Sequence, residues 1–491
     1  MSIIRAEKLT FSYPSSFDPI FENVDFQLDT DWKLGLVGRN GRGKTTLLRL
    51  LLGEFEYSGK LIHSVPFDYF PPTVSGGNRR TETVLLEICP FAQEWEFLRE
   101  LSCLKVAQDV LQRPFTTLSA GEQTKVLLAA LFLNEGRFLL IDEPTNHLDA
   151  EGRRQIADYL KRKKGFILVS HDRYLLDECT DHIMSLNRNG IEVQSGNYSS
   201  WRENFERQQQ FELSRNERLK KEISRMKQSA RQAAMWSDRT EASKRGAADK
   251  GYVGHKAAKM MKRSKAAETR KERAIEEKSG LLKNTEREES LKMQSLIYRN
   301  EKLVSFFDVA AVYDGRCVCD PVTFEIRSGE RVILCGGNGS GKSSLLKLLL
   351  GESAEHTGII TTGSGLKLSY VPQDAEGIKG SLTDFAQMHR LDESLFKTVL
   401  RKMGFERVQF EKDMKDFSAG QKKKVMIAKS LCEPAHLYVW DEPLNYIDLY
   451  SRIQIEQVIE EFSPAMLLVE HDVYFAEKLN AKAVRLKRRN P

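Results

Sequence analysis

Gly38-Arg39-Asn40-Gly41-Arg42-Gly43-Lys44-Thr45 follows an apolar run, Leu34 to Val37, and precedes the helical pattern Leu47, Leu48, Leu50, Leu51. Strand, glycine-rich loop and helix in that order are the context a P-loop requires. Glycines stand where side chains would collide with phosphate, and successive backbone N–H groups at a helix N-terminus supply the positive potential. Lys44 would neutralise the β- and γ-phosphates and Thr45 would hold Mg²⁺, with Gly38, Asn40, Gly41, Gly43 and Thr46 completing the cradle. Gly336-Gly337-Asn338-Gly339-Ser340-Gly341-Lys342-Ser343 repeats the arrangement after Val332 to Cys335. Its matching set is Gly336, Asn338, Gly339, Gly341, Lys342, Ser343 and Ser344.

Other positions recur with the loops. Ser119 returns as Ser418, Asp142 as Asp441, Asp149 as Asp448, His171 as His471 and Tyr13 as Tyr313; with Lys44 and Lys342 the offsets run from 298 to 300 residues. A near-constant offset over chemically distinct positions marks a duplicated domain. The 491 residues accommodate two units of about 190 to 200 residues and a connector, each unit of ordinary domain size. The expected boundaries are 1–200, 201–300 and 301–491. The expected fold is α/β: two P-loop domains, each with a largely parallel core sheet and a helical subdomain, joined by a long α-helical hairpin.

Phe138-Leu139-Leu140-Ile141-Asp142-Glu143 and Leu437-Tyr438-Val439-Trp440-Asp441-Glu442 read as buried strands ending in two carboxylates. The first acid of each pair suits Mg²⁺ support and the second suits polarising an attacking water, which makes Glu143 and Glu442 general-base candidates. His171 and His471 follow further apolar strands and reach the same edge. Alone, either would read as structural; repeated 300 residues apart, they read as γ-phosphate sensors. Gln373, in Tyr370-Val371-Pro372-Gln373, can assist Mg²⁺ and position water, whereas Pro72, in Tyr69-Phe70-Pro71-Pro72, cannot. Asn445-Tyr446-Ile447-Asp448 likewise departs from Asn146-His147-Leu148-Asp149. The two sites are therefore expected to work at unequal rates.

The net charge of +6 hides a division: residues 201–300 hold 26 Lys and Arg against 15 Asp and Glu, a net of +11, leaving −5 for the rest. Helical spacings run outward through Leu219, Ile223 and Met226 and return through Ala267, Ala274 and Leu281. Two antiparallel helices of ~35 residues would reach roughly 50 Å. Gly246, Gly251 and Gly254 break the run and mark a tip. From Arg231 to Lys265 ten basic and three acidic residues interleave with Trp236, Tyr252, Met260 and Met261. Such a rod suits RNA phosphates and unpaired bases; the alternative is a solvated spacer whose Trp and Met pack within the hairpin. The basic end Lys487-Arg488-Arg489 reads as RNA-touching or simply solvated. Seven cysteines without paired metal-ligand spacing argue against a disulfide framework and for a reducing cytoplasm. No signal peptide is evident at the N-terminus, and the longest apolar run, Val126 to Leu133, falls short of the ~20 residues that cross a bilayer, so no membrane insertion is expected.

Leu118-Ser119-Ala120-Gly121-Glu122-Gln123 and Phe417-Ser418-Ala419-Gly420-Gln421-Lys422 resemble the signature loops of ATP-binding-cassette ATPases, with Ala at the usual first glycine. The resemblance covers nearly the whole of both end domains. It implies ATP and Mg²⁺ as ligands and two cassettes closing head to tail within one monomeric chain. Ser119 and Gly121 would then contact ATP held by Lys342, and Ser418 and Gly420 ATP held by Lys44, each signature helix offering its positive end to a γ-phosphate. Thr45, Asp142, Ser343, Gln373 and Asp441 are the implied metal ligands. Tyr13 and Tyr313 lie where the family stacks adenine; as isolated tyrosines they would be packing residues.

Two cassettes with no membrane domain and a charged connector between them resemble the ABC-F proteins, which act on the ribosome. Trp32 to Lys44 and Met260-Met261-Lys262-Arg263-Ser264-Lys265 are similar to the antibiotic-resistance branch, which protects ribosomes from lincosamides, pleuromutilins and group A streptogramins. The implied partners are the bacterial 70S ribosome, its 23S rRNA and peptidyl-site tRNA. The ATP-closed form would enter the tRNA exit site, push the hairpin towards the peptidyl-transferase centre, and release the drug. A housekeeping ABC-F translation factor is the second reading. The ATPase subunit of a membrane transporter is a third, disfavoured by the basic connector.

Overall fold

The computed structural model of the protein describes residues 2–14, 19–74, 78–146, 148–187, 190–242, 290–313, 315–352, 355–375 and 377–487. It divides into two compact units, Met1–Ser199 with Glu288–Pro491, and Ser200–Arg287. Both copies of the repeat lie in the first unit.

In the first copy a six-stranded sheet runs Phe67–Phe70, Phe138–Asp142, Phe166–Val169, Lys33–Gly38, His182–Asn187, Gly190–Ser195, parallel except for its last pair. In the second, five parallel strands run Leu368–Val371, Leu437–Asp441, Ala465–Val469, Arg331–Cys335, Lys482–Arg485. The central strands are continuous apolar runs because both faces of such a sheet are covered, and Phe166–Val169 and Ala465–Val469 are buried at every position. The P-loop strand lies beside the strand preceding His171 or His471, which lies beside the acid strand. All three end at one edge, where open parallel sheets place their ligands.

An antiparallel sheet centred on Ile3–Phe11, and in the second copy on Lys302–Tyr313, covers one side of each cassette. Thr81–Ile88, Glu94–Cys103 and Ala120–Phe132 form the first helical subdomain. Leu382–Met388, Glu393–Lys402 and Ala419–Cys432 form the second.

Helix Tyr198–Ala242, which runs into the second unit, is 45 residues long, about 67 Å at 1.5 Å per residue. Asn216 and Ile223 are buried and Leu219 and Met226 half-buried on it, the stripe that the spacing of Leu219, Ile223 and Met226 predicts. The expected tip glycines, Tyr252, Met260, Met261 and the returning Ala267, Ala274 and Leu281 lie outside the described residues, as do the Trp236 side chain, Arg488 and Arg489.

The second cassette begins earlier than residue 301. Leu291 and Met293 are buried in its core. Gln294 N–H donates to Leu431 O (3.1 Å), Leu296 N–H to Ala435 O (2.8 Å) and Tyr438 OH to Gln294 O (2.8 Å). Backbone bonding, invisible to a charge count, sets this boundary.

The two cassettes pack against one another through a buried ion pair. Arg173, opening helix Arg173–Cys179, forks onto Glu456 of helix Leu449–Phe462; Nη1 lies 3.2 Å from Oε2 and Nη2 contacts Oε1. Glu456 has no exposed side-chain surface and also accepts from Lys478 Nζ at 3.2 Å. Its counterpart 299 residues earlier is Ala157, so the pair is one-sided. Arg173→Met is expected to lower stability by about 3 kcal/mol, the loss typical of removing one partner of a buried ion pair. Adding Glu456→Leu should restore most of it, read as shifts of the urea midpoint.

Candidate functional site

Gly41 and Gly43 have φ of 84° and 89°, and Gly339 and Gly341 of 74° and 86°, left-handed values that glycine adopts without strain. Lys44 curls over its loop, donating to Gly38 O (2.8 Å), Arg39 O (3.3 Å) and Asn40 Oδ1 (3.4 Å). Lys342 does the same with Gly336 O (2.9 Å) and Gly337 O (3.0 Å). Burial lowers the pKa of both lysines. Opposing it are Asp448, Glu143 and Asp142 around Lys44, and Glu442, Asp149 and Asp441 around Lys342. These carboxylates come from both cassettes.

Thr45 Oγ1 donates to Asp142 Oδ2 (2.8 Å), which also accepts from Tyr69 OH (3.1 Å). Burial and the neighbouring Asp142 push Glu143 up to about 7. In the second cassette, burial raises Asp441 to about 6; a bond from Ser343 opposes the rise and Glu442 adds to it. Glu143 and Glu442 have φ of 50° and 44°, a left-handed backbone that strains a side chain of this size by roughly 1 kcal/mol or more. His171 Nε2 lies 3.4 Å from Glu143 Oε1, and His471 Nε2 3.7 Å from Glu442 Oε1. Burial keeps both imidazoles neutral, His171 well below its usual value and His471 at about 4, with Lys44 and Lys342 adding to the effect. Glu442 Oε2 also accepts from Gln373 Nε2 (3.1 Å) and Asn445 Nδ2 (2.6 Å).

Tyr13 OH meets Thr46 Oγ1 at 3.0 Å while its ring packs on Phe11 and Phe55, with centroids 5.1 and 5.6 Å away. Tyr313, 46% exposed, reaches Ser344 Oγ at 3.3 Å. Both tyrosines thus touch the P-loop helices.

The cassettes meet head to tail. Asn40 Nδ2 donates to Tyr446 O (3.0 Å), and a Cβ on Gly420 would fall 3.0 Å from that nitrogen and 2.5 Å from that oxygen. The Arg39 guanidinium stands 5.4 Å over the Tyr450 ring. On the other side a cavity of about 450 Å³ is lined by the Asn338–Ser344 loop, Gln373, Glu442 and His471 of one cassette and by Ala120, Leu148 and Arg153 of the other. Ala120 represents the first signature loop there. Ser119 caps its own helix, accepting from Glu122 N–H (3.2 Å) and donating to Glu122 Oε2 (2.8 Å), and Gly121 packs against Leu148. Ser418 caps the matching helix, accepting from Gln421 N–H at 3.3 Å.

Three functional positions escaped the sequence reading. Arg153 donates to Leu148 O (3.2 Å) and pairs with Asp172 (3.3 Å); Arg452 donates to Ile447 O (2.9 Å) and Leu444 O (2.8 Å) and pairs with Asp472 (3.1 Å). Each arginine braces the loop that faces the opposite P-loop. Their 299-residue spacing was available in the sequence. The third, Lys423, has no repeated partner.

Asp441 Oδ1, Glu143 Oε1 and His171 Nδ1 are buried without a hydrogen-bond partner among the described residues. Carboxylate oxygens beside a hydroxyl and a lysine form the set that a hard cation and a phosphate complete together. Among the described residues no group of three or more His, Cys, Asp or Glu could hold a metal alone.

A parallel sheet with P-loop, acid strand and histidine at one edge, twice over and paired across a seam, defines a nucleotide-binding cassette protein. The family described as ABC transporter matches residues 21–146 and 319–445, more than half of the chain, and the chain belongs to it. It is an ATP-hydrolysing P-loop enzyme with two cassettes. The chain is similar to the ribosome protection protein VmlR of Bacillus subtilis, 28% identical over 491 residues, covering 96% of this chain and 85% of the relative. It is also similar to the ATP-binding protein Uup of Caulobacter vibrioides, 27% identical over 480 residues, covering 95% and 75%. Among solved structures, the archaeal ribosome recycling factor aABCE1, in complex with the stalk protein aP1, superposes with a TM-score of 0.61 at 20% identity, covering 94% of this chain and 84% of that one. The likeness there is one of fold. No helix among the described residues is long and apolar enough to cross a membrane.

The repeat equates Asp149 with Asp448, but the structure separates them. Asp149 caps its helix through Gly152 N–H (2.9 Å). Asp448, fully buried, accepts from Lys424 Nζ (2.6 Å), Ser451 N–H (3.0 Å) and Ser451 Oγ (3.0 Å). Burial alone would raise its pKa; the Lys424 ammonium holds it far below the usual carboxylate range. Asp149→Ala is expected to lose about 1 kcal/mol of stability, a cap's worth. Asp448→Ala is expected to lose about 3 to 5, since it strands Lys424; urea unfolding of both variants checks the contrast.

Proposed function

We propose that this chain is a ribosome-binding ABC-F ATPase that protects the peptidyl-transferase centre from antibiotics. Its ATP-bound form inserts the connector from the tRNA exit site, and hydrolysis releases it. The observation that carries this reading is a seam in which each P-loop is completed by the other cassette, in one chain with a connector of net charge +11. Phosphates in such a seam attract both halves, so ATP closes the cassettes and its cleavage loosens them. The connector's positive charge suits RNA phosphates. Similarity to a ribosome protection protein across 96% of the chain supports the same reading. The partners are the 70S ribosome, 23S rRNA and peptidyl-site tRNA, met in the cytoplasm by a monomer.

Within each site the P-loop lysine holds the β- and γ-phosphates. Thr45 and Asp142, and Ser343, Asp441 and Gln373, would hold Mg²⁺, which when bound offsets phosphate charge. Glu143 and Glu442 accept the proton of the attacking water. His171 and His471, neutral, each turn their single N–H towards the γ-phosphate. Tyr13 and Tyr313 stack on adenine. A housekeeping translation factor is the second reading, supported by relatives 27% and 28% identical that are named only as ATP-binding proteins.

The Glu143→Gln, Glu442→Gln double variant is expected to co-sediment with 70S ribosomes in ATP and to be released by raised salt. Sedimentation free of ribosomes at low ionic strength would overturn the proposal. Expression of the active protein should raise the inhibitory concentration of lincosamides, pleuromutilins or group A streptogramins; retained binding without resistance selects the housekeeping factor.

In the Glu442→Gln variant the remaining base is Glu143, whose carboxyl must ionise before it can accept a proton. Because burial raises that ionisation to about 7, kcat/KM for ATP, which reports the free enzyme, should climb with pH through an acid limb near 7. A profile flat across about pH 5 to 9 would place the base elsewhere.

A further inference from the structure

Helix Ala419–Cys432 carries two consecutive buried lysines that the reaction has not so far required. Lys424 turns to the seam, reaching Asp448 (2.6 Å) and Met403 O (2.7 Å). Lys423 lies about 100° further round the helix and turns to its own sheet. Its ammonium donates to Pro372 O (2.7 Å), Gln373 O (3.0 Å) and Asp441 O (3.0 Å), using all three hydrogens. A lysine only 2% exposed is tolerated with such partners and not without them.

The three carbonyls have a definite place in the fold. Strands Leu368–Val371 and Leu437–Asp441 pair in parallel with Val371 opposite Trp440, so Lys423 bonds the two chains where they leave the sheet and diverge. One departing segment carries Gln373, the other Asp441 and Glu442, and Gln373 Nε2 reaches Glu442 Oε2 at 3.1 Å. Among the described residues the first cassette has no such rivet. Thr124 stands 299 residues before Lys423, with a side chain three atoms shorter in reach. The segment there is Phe70-Pro71-Pro72, and Tyr69 OH bonds Asp142 directly.

We propose that Lys423 is a positioning residue of the second nucleotide site: its ammonium locks the Gln373 segment to the end of the Asp441 strand, so that Gln373, Asp441 and Glu442 face the metal and the attacking water as one unit, a support the first site lacks. This rests on the reading of Gln373 and Asp441 as Mg²⁺ ligands. Groups that hold ligands in place typically contribute about 10- to 100-fold in metal affinity or activity.

The test is titration of the full-length protein with Mn²⁺ in a non-hydrolysable ATP analogue, followed by electron paramagnetic resonance, together with steady-state kinetics. Lys423→Met should weaken one of the two Mn²⁺ sites by about tenfold or more, leave the other unchanged, and lower kcat with little change in the KM for ATP. Lys423→Gln, which keeps two donors on a shorter arm, should recover part of the loss and carries the test if the methionine variant does not fold. Equal weakening of both sites, or a lowered melting temperature with both sites intact, overturns the proposal. Gln373→Ala reports on the ligand reading separately. No change there removes that reading and this proposal with it, while a loss there with none in Lys423→Met removes this proposal alone. A Lys423→Met, Gln373→Ala double variant should lose less than the sum of the single losses, since one acts through the other.

Discussion

Each buried P-loop lysine must sit among carboxylates, and it draws them from both cassettes. Lys44 has Asp142 and Glu143 beside it from its own domain and Asp448 from the other; Lys342 has Asp441 and Glu442, and Asp149 across the seam. The same need organises the surroundings. Asp448 is balanced in turn by Lys424, and Arg153 and Arg452 hold the loops that deliver the crossing aspartates. Charged groups from both cassettes thus surround each P-loop lysine.

The parts of this arrangement that lie on loops and strand ends were readable from the chain. A glycine-rich loop between an apolar strand and a leucine-periodic helix has few alternatives, and the acid pairs that follow Ile141 and Trp440 both stand at strand ends. What could not be read were charges that tertiary packing buries. Lys422-Lys423-Lys424 looks like a solvated run, yet the second and third are 2% and 5% exposed. Glu456 sits in Gln454-Ile455-Glu456-Gln457, an ordinary amphipathic pattern, and is fully enclosed with Arg173. Nothing local distinguishes such residues from surface ones, because their partners lie in another strand or another domain. The connector's end was misjudged for a related reason: Leu291 and Met293 follow a charged segment but answer to a distant core.

Duplication has produced two sites that share a frame and differ in detail. Both keep lysine, hydroxyl, two acids and histidine in the same relation. The first has Pro72 and a tyrosine hydroxyl on Asp142; the second has Gln373 on Glu442 and a lysine under both strand ends. The interface is uneven too, since Ala157 stands where Glu456 would repeat. A copy that remains in contact with its twin is free to specialise, because each half needs to complete only its partner's site.

Glu143 and Glu442 occupy a backbone geometry that asparagine or glycine would accept with less strain. A substitution of that kind relaxes the main chain and discards the carboxylate in one step. On the role proposed for these glutamates, sturdiness and turnover pull in opposite directions at two single positions, and a version of this protein evolved only for hardiness would drift towards an idle clamp.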